Sequence, residues 1–183
     1  AQAGGMEELC RQIDAVGTDF DSLLADHECT HGELYRRVVF SLPGGEKTLV
    51  RQTDREALAD AYASGAKNVL AEKLFNFSRY CLISSSGNMP PNLQGVWSGT
   101  WTPPWYGGYT LDENIQMNLW QALPGGIPEF CHPYFDFLER QFPDWRENAR
   151  NLYDASGMVA PVNSTTNGRS FNVLPTYPWH FWV

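Results

Sequence analysis

The stretch from Pro90 to Trp120 limits what this chain can fold into, because its first half fits neither a helical nor a strand pattern. Glycines alternate there with a Pro103-Pro104 pair and with indoles, which is typical of an ordered loop. This stretch contains four of the seven tryptophans, namely Trp97, Trp101, Trp105 and Trp120. An indole is a large apolar ring with one polar N–H, so these side chains either fix the loop to a core or serve a binding site.

A tight polar cluster, Asp112-Glu113-Asn114, follows the aromatic part of this loop. Indole faces beside carboxylates and amides suit a carbohydrate, because the CH face of a sugar ring stacks on the indole while polar groups take its hydroxyls. Trp97 directly follows a predicted helix and is predicted to be buried. At least one of Trp101 and Trp105 is predicted to face an open cleft. The residues singled out here for binding are Trp101, Trp105, Glu113 and His180, which stands between two aromatic residues.

The composition predicts a globular protein that acts on a neutral ligand. The 183 residues are 43% apolar and 19% charged, which is enough for a real core. The net charge of −8 argues against a phosphate-backbone partner, so no nucleic acid is predicted and a carbohydrate is preferred. No apolar run of about 18 residues occurs, so no membrane partner is predicted either. An extracellular or periplasmic location is expected rather than a cytoplasmic one.

Neither the cysteines nor the histidines are spaced as metal ligands. The four cysteines include no Cys-x-x-Cys pair, and the four histidines show no metal spacing, so no metal and no cofactor is predicted. The cysteines could form two disulfides in an oxidising compartment or remain four free thiols, and the sequence leaves both alternatives open.

Apolar residues recur at helical spacing along most of the chain, which predicts a mainly α fold. A capping box at Thr53 to Glu56 predicts the start of a helix. One segment, residues 35–42, is predicted to be extended, with every second side chain on one face. The buried stripe of the strongest helix is predicted to be Val69, Leu70, Leu74, Phe77, Tyr80 and Cys81. Predicted helices cover residues 6–26, 54–63, 66–83, 114–123, 128–142 and 144–153, with a loop-like segment at 156–178.

The last five residues, 179–183, are mostly aromatic and lack a polar cap, whereas chain termini are usually polar. This predicts an internal piece of a longer chain, with the remainder of that chain or another subunit as a partner. A C-terminal tail docked into the core is the alternative. The 183 residues are not expected to form a closed barrel alone. An incomplete barrel would leave the side chains of Val69, Leu74 and Phe77 partly exposed.

The run RYCLISSSGNMPPNLQGVW, followed by PPW and then YTLDENIQMNLW, resembles the start of the catalytic domain of family 95 glycoside hydrolases. The resemblance covers roughly Leu23 to Val183 and is densest from Arg79 to Trp120. That family comprises inverting α-L-fucosidases and relatives that act on α-L-galactosides. The resemblance implies a mainly α fold that forms part of an (α/α)6 barrel. Residues 1–65 would form a helical linker region, and residues 66–183 would form the first part of the barrel.

The resemblance also implies catalytic roles for Asp112 and Asn114. The family activates water with two asparagines two residues apart, supported by an Asp, and uses a Glu as general acid. Asn114 matches, whereas Asp112 stands in place of an asparagine and is itself able to activate water. The family's general acid and supporting Asp lie downstream of Val183. The family's His-His-Asn-Thr-Asp run falls on residues 161–165, where only Asn163 matches as a substrate-binding residue, so the sugar specificity is left open.

Two functions therefore stay open. The chain is either a fragment of an inverting exo-glycosidase that removes terminal α-L-fucosyl or α-L-galactosyl residues, or a non-catalytic carbohydrate-binding or structural fragment that lacks the general acid. Asp112 also suits the N-cap of the helix predicted to begin near Asn114. In an extended segment, the two-residue spacing places Asp112 and Asn114 on one face.

Overall fold

The computed structural model describes residues 3–43, 52–65, 67–166 and 181–182. The chain forms two compact units, Ala1–Arg37 and Val38–Val183. Within the described residues the fold is mainly α, as predicted. None of the helices in these ranges combines the length and the apolar character that a membrane span needs. The predicted family domains, residues 1–65 and 66–183, stay a prediction.

The first unit contains two helices, α1 (Ala3–Ala15) and α2 (Phe20–Tyr35), so the single helix predicted over residues 6–26 is wrong. The break falls around Gly17, a residue that disfavours the helix interior. A new N-terminus follows it, where the Asp19 carboxylate accepts a hydrogen bond from the Ser22 N–H at 3.2 Å.

In the second unit, the described residues include the helices α3 (Asp54–Ser64) and α4 (Asn68–Ser85). The capping box predicted at Thr53 is confirmed: the Glu56 N–H donates to Thr53, and the Thr53 N–H donates to the Glu56 carboxylate at 2.7 Å. The Thr53 hydroxyl also donates to the Glu56 carboxylate, and the two hydrogen bonds that this carboxylate accepts from Thr53 hold the pKa of Glu56 below its usual value.

Helix α4 is present as predicted, but it buries a different face from the predicted apolar stripe. Leu74 is 56% exposed and Phe77 is 63% exposed. The buried residues are instead Glu72, Arg79, Leu82 and Ile83. The charged side chains of Glu72 and Arg79 can occupy this face because they form hydrogen bonds with main-chain groups of other segments.

Those main-chain groups belong partly to the extended segment at residues 38–42. Its side chains alternate between half-buried and exposed, as the period of two predicted. The predicted start at residue 35 is wrong, because Tyr35 ends α2 and residues 36–37 form a turn. The Leu42 N–H donates to Glu72 Oε1 at 2.5 Å, and Arg79 Nη1 donates to the Val38 carbonyl at 3.1 Å. The Phe40 ring lies 4.9 Å from that of Phe75, so the segment packs along α4.

Two further helices occur among the described residues, α5 (Asn114–Leu119) and α6 (His132–Tyr153). The burial predicted for Ile115, Leu119 and Ala122 is confirmed. The predicted end of the helix at residue 123 is wrong, because α5 ends at Leu119 and Ala122 lies in the turns that follow. A 3₁₀ turn at Pro128–Cys131 leads into α6, which continues through Pro143. The two separate helices predicted on either side of Pro143 are therefore one helix.

Four two-residue strands in the described part of the chain form two antiparallel pairs. Strand β1 (Tyr109–Thr110) pairs with β3 (Asn163–Ser164), and β2 (Ala160–Pro161) pairs with β4 (Phe181–Trp182). For the second pair, the structure describes only the backbone of Phe181 and Trp182, and not their side chains. Residues 167–178 of the predicted loop also lie outside the described residues, whereas its described part, residues 156–166, contains β2 and β3.

The core beneath the first strand pair joins the loop to α5 and α6. Phe137 is completely buried, and its ring lies 4.7 Å from the ring of Tyr109. This contact fixes the start of the polar segment that follows β1. The buried cluster consists of Tyr109, Leu111, Ile115, Phe137 and Trp145.

Candidate functional site

Two side-chain amides organise the aromatic loop. Asn92 Oδ1 accepts from the Gln94 N–H at 3.0 Å, and Asn92 Nδ2 donates to the Gly107 carbonyl at 3.0 Å. Gln94 Nε2 donates to the Pro104 carbonyl at 2.6 Å. Asn92 and Gln94 thus hold both ends of the tight turn Pro104–Gly107, which we call the aromatic turn.

The aromatic turn carries backbone strain. Trp105 and Tyr106 have φ values of 58° and 56°, in the left-handed region that bulky residues avoid. Each such residue costs about 1–3 kcal/mol and persists only where the surroundings fix it, often at binding sites. Trp105 is 48% exposed and Tyr106 is also exposed. The strained turn thus presents two aromatic rings, and the binding role of Trp105 stays a prediction.

Trp97 does not lie in the core, contrary to the prediction, since 52% of it is exposed. It packs against Gly95, which has a φ of 57°, and a Cβ at that position would lie 2.8 Å from the Trp97 ring. The ring therefore lies on bare backbone instead of entering the core. Trp101 is fully exposed.

A cavity of 170 Å³ lies between the loop and two helical segments. We call it the amide cavity, because side-chain amides from the loop and from residues 118–121 line it. Burial raises the pKa of the Cys81 thiol in its wall, so this group is protonated at neutral pH. The lining residues are Cys81, Leu82, Ser85, Pro91, Asn92, Leu93, Gln94, Gly95, Trp97, Asn118 and Gln121.

Asp112 lies in a turn, not in an extended segment as predicted. Asp112 as a whole is half-buried. Its carboxylate oxygen Oδ1 is fully buried and has no hydrogen-bond partner among the described residues. Buried polar atoms in native proteins are normally paired, so an unpaired carboxylate oxygen indicates a place for a water or a ligand.

The N-cap of α5 is Glu113, so the N-cap role predicted for Asp112 is wrong. The Glu113 N–H donates to Gln116 Oε1 at 3.1 Å, and Gln116 Nε2 donates to the Leu111 carbonyl at 2.7 Å. Gln116 thereby closes the turn and fixes the backbone around Asp112. Glu113 itself has a φ of 96°, a second strained position close to the loop.

Asn114 and Glu113 are both exposed at the start of α5. Because the segment turns at residues 111–113, the argument that Asp112 and Asn114 share one face of an extended strand is wrong. The catalytic role assigned to this pair, and the binding role assigned to Glu113, stay predictions.

Strand pairing brings Asn163 next to the residues that precede Asp112. Thr110 Oγ1 donates to Asn163 Oδ1 at 3.0 Å, and the Leu111 N–H donates to the Val162 carbonyl at 2.7 Å. With its oxygen engaged by Thr110, the amide of Asn163 offers its NH₂ group as a donor. His180, the last predicted binding residue, lies outside the described residues.

The core under this turn holds two neutral tyrosines. Burial raises the pKa of Tyr109, with a smaller opposing effect of Arg140. Burial also raises the pKa of Tyr134, and a hydrogen bond with Gln116 partly offsets that effect. Both phenols are therefore protonated at neutral pH and place no negative charge near Asp112.

Several residues that shape the site have no assigned role in the sequence analysis. Thr110, Gln94 and Gln121 act through hydrogen bonds and cavity walls that a linear pattern does not show. The signal for Gln94 was present, since it lies in the NLQGVW run beside Asn92. Tyr106 follows Trp105 directly, but its exposure depends on the left-handed turn.

The cysteines and acidic residues show no metal centre in the part of the chain that the structure describes, where no three His, Cys, Asp or Glu side chains cluster as ligands. All four cysteines are free thiols, so the structure contains neither of the two disulfides that stayed open.

A mainly α chain with a strained aromatic loop beside amides and a carboxylate has the makeup of a carbohydrate-active protein. Comparison with known proteins agrees, because residues 19–183 match the Glycosyl hydrolase family 95 catalytic domain, and the chain belongs to this family. The catalytic domain of this family is an (α/α)6 barrel. The predicted fold class and family are thus confirmed.

The similar curated proteins are fucosidases by name. Over 159 residues the chain is 37% identical to "Alpha-L-fucosidase 2" of Arabidopsis thaliana, covering 84% of this chain and 19% of that protein. Over 169 residues it is 30% identical to "Probable alpha-fucosidase A" of Aspergillus niger, covering 90% of this chain and 21% of that protein. The chain thus spans about a fifth of the length of these relatives.

Proposed function

We propose that this chain contributes the water-activating part of an inverting glycosidase that hydrolyses terminal α-L-fucosyl residues. Family membership and the names of the relatives support the reaction class and the sugar. Within the chain, the observation that carries the proposal is the unpaired, buried Asp112 Oδ1.

Asp112 is the proposed general base. A water that donates to Asp112 Oδ1 would satisfy this atom and would at the same time be oriented for attack. Inversion needs that water on one face of the sugar and a general acid on the other, with the two carboxyl groups about 6.5–9.5 Å apart. The general acid is not assigned to any residue of this chain.

The neighbouring polar and aromatic groups would hold the sugar against this water. Asn114 is exposed at the start of α5, where its amide would help to position the water. The NH₂ group of Asn163 would donate to a sugar hydroxyl. Trp101, Trp105 and Glu113 are the other proposed substrate contacts, and the exposed indoles suit stacking on a sugar ring.

The experiment uses the complete gene product that carries this chain, with an aryl α-L-fucoside as substrate. Replacing Asp112 by Asn keeps the shape and removes the base, so kcat is expected to fall by about 10²–10⁴. Asn114→Ala is also expected to lower kcat. Asp136→Asn is the matched control, because Asp136 is exposed on α6. NMR of the first-formed sugar should show an inverted anomeric carbon.

Unchanged rates in both variants, or retention at the anomeric carbon, would contradict the role of this pair. If Asp112→Asn keeps substantial activity while Asn114→Ala does not, the two-asparagine arrangement of the family operates here and Asp112 is not the base itself.

The second candidate function is carbohydrate binding without hydrolysis. The exposure of Trp97, Trp101 and Trp105 favours it, since exposed indoles serve binding in the absence of any catalytic group. Saturable binding of an α-L-fucoside by a gene product that does not hydrolyse it would favour this candidate over the first.

A further inference from the structure

Two residues in the wall of the amide cavity each have a buried side-chain oxygen that no described group satisfies. They are Gln94 Oε1 and Gln121 Oε1, and both residues line the cavity. A buried polar atom without a partner costs about 1–3 kcal/mol, so two in one cavity call for a donor that occupies it.

The orientation of both amides follows from the hydrogen bonds of their nitrogen atoms. Gln94 Nε2 donates to the Pro104 carbonyl at 2.6 Å, and Gln121 Nε2 donates to the Asn118 carbonyl at 3.4 Å. Each oxygen is therefore the end of the amide that is left to accept. The complementary ligand is one that donates, such as a hydroxyl group.

The other lining residues limit the chemical class of the ligand further. No lining residue carries a formal charge, and burial keeps the Cys81 thiol protonated, so nothing in the wall selects a charged ligand. Leu82, Leu93 and the half-exposed indole of Trp97 form apolar surface. A wall that combines an indole face with amide acceptors matches a sugar ring, which has an apolar CH face and donating hydroxyls.

The size of the cavity agrees with a single ring. At 170 Å³ it is smaller than the ~300–1,000 Å³ of pockets that enclose a drug-sized ligand.

We propose that the amide cavity is a binding site for one neutral monosaccharide ring, with Gln94 and Gln121 accepting from its hydroxyls and Trp97 covering its CH face. This inference goes beyond the proposed hydrolysis, because the cavity contains neither Asp112 nor Asn114. Since Gln94 also holds Pro104, a sugar in the cavity would order the aromatic turn.

The test is an NMR titration of the 183-residue chain with L-fucose, L-galactose and D-xylose. Saturable shifts are expected at the Trp97 indole N–H and the Gln121 side-chain amide for at least one sugar. Gln121→Leu should weaken that binding by about tenfold, the usual effect of losing one hydrogen bond. Gln12→Leu, an exposed glutamine on α1 outside the cavity, is the matched control and should bind like the original chain.

Trp97→Leu provides a second variant, since the exposed indole makes its loss tolerable for folding, and it should also weaken binding. Sodium acetate should produce no saturable shift at either reporter. If no sugar shifts either reporter and NOEs from water to the Gln121 amide are seen instead, the cavity holds water only and the proposal is overturned. Equal affinity in both cavity variants and the control would overturn it as well. The readout is binding at the amide cavity, which contains neither Asp112 nor Asn114, so failure here leaves the proposed hydrolysis untouched.

Discussion

At the scale of single residues, Arg79 shows how a buried charge is accommodated. Its side chain is completely buried, Nε donates to the Gly125 carbonyl at 2.9 Å, and Nη1 donates to the Val38 carbonyl at 3.1 Å. The planar guanidinium reaches two carbonyls in different directions, which a lysine ammonium on a single stem does not reproduce.

We therefore expect Arg79→Lys to lower the free energy of unfolding by about 2–4 kcal/mol, through a lost hydrogen bond and an incompletely satisfied charge. Urea denaturation followed by circular dichroism measures this change. Arg146→Lys on α6 is the control, because Arg146 is exposed and should change stability by less than about 0.5 kcal/mol. Equal stability of the two variants would contradict the structural role of the Arg79 fork.

At the scale of elements, α6 shows that packing overrides a local helix breaker. Pro143 is exposed within the helix, while the buried residues Phe137, Gln141, Trp145 and Ala149 continue at a spacing of four across it. Pro143→Ala restores a backbone N–H and removes the ring clash, so it should stabilise the protein by about 1–3 kcal/mol. Thermal unfolding would show a raised Tm, with Asp136→Ala on the same helix as a near-neutral control. A lowered Tm for Pro143→Ala would mean that the proline fixes a bend that the core requires.

The aromatic turn is the second element whose shape is imposed on it. Asn92 accepts from the Gln94 N–H and donates to the Gly107 carbonyl. Asn92→Ala removes both contacts, so the strained Trp105 and Tyr106 are expected to relax and their amide hydrogens to exchange about tenfold faster. Hydrogen–deuterium exchange of residues 100–110 measures this, with the exposed Asn88→Ala as control. Unchanged exchange in Asn92→Ala would show that the turn is held without this side chain.

At the scale of the whole molecule, apolar surface on α4 decides how the 183-residue chain behaves in solution. Leu74 and Phe77 are more than half exposed, and exposed apolar patches promote association. Replacing both residues by Gln should raise the monomeric fraction in size-exclusion chromatography with light scattering, without reducing the helical signal. Phe137→Gln is the opposite control, because this fully buried ring should be needed for folding. If the double variant also loses its helical signal, this face is packed in solution.

The sequence alone determined the elements that depend on local chemistry. The Thr53 capping box, the buried stripe of α5 and the alternation along residues 38–42 follow from side-chain spacing, which acts over a few residues. The family also follows from the sequence, since the NLQGVW and QMNLW runs are specific. The clustering of tryptophans between Pro90 and Trp120 predicts a binding loop from the sequence alone.

Only the tertiary structure decided which face each element buries and which side chains meet. The spacing of apolar residues in α4 predicts a helix but not which of its faces is buried. Arg79 can be buried because its guanidinium donates hydrogen bonds to the carbonyls of Val38 and Gly125. Pairing of β1 with β3 placed Asn163 against Thr110, although 53 residues separate them. Trp97 lies on Gly95 because a left-handed glycine leaves room for the ring. These outcomes depend on contacts between segments distant along the chain, and local spacing contains no information about such contacts.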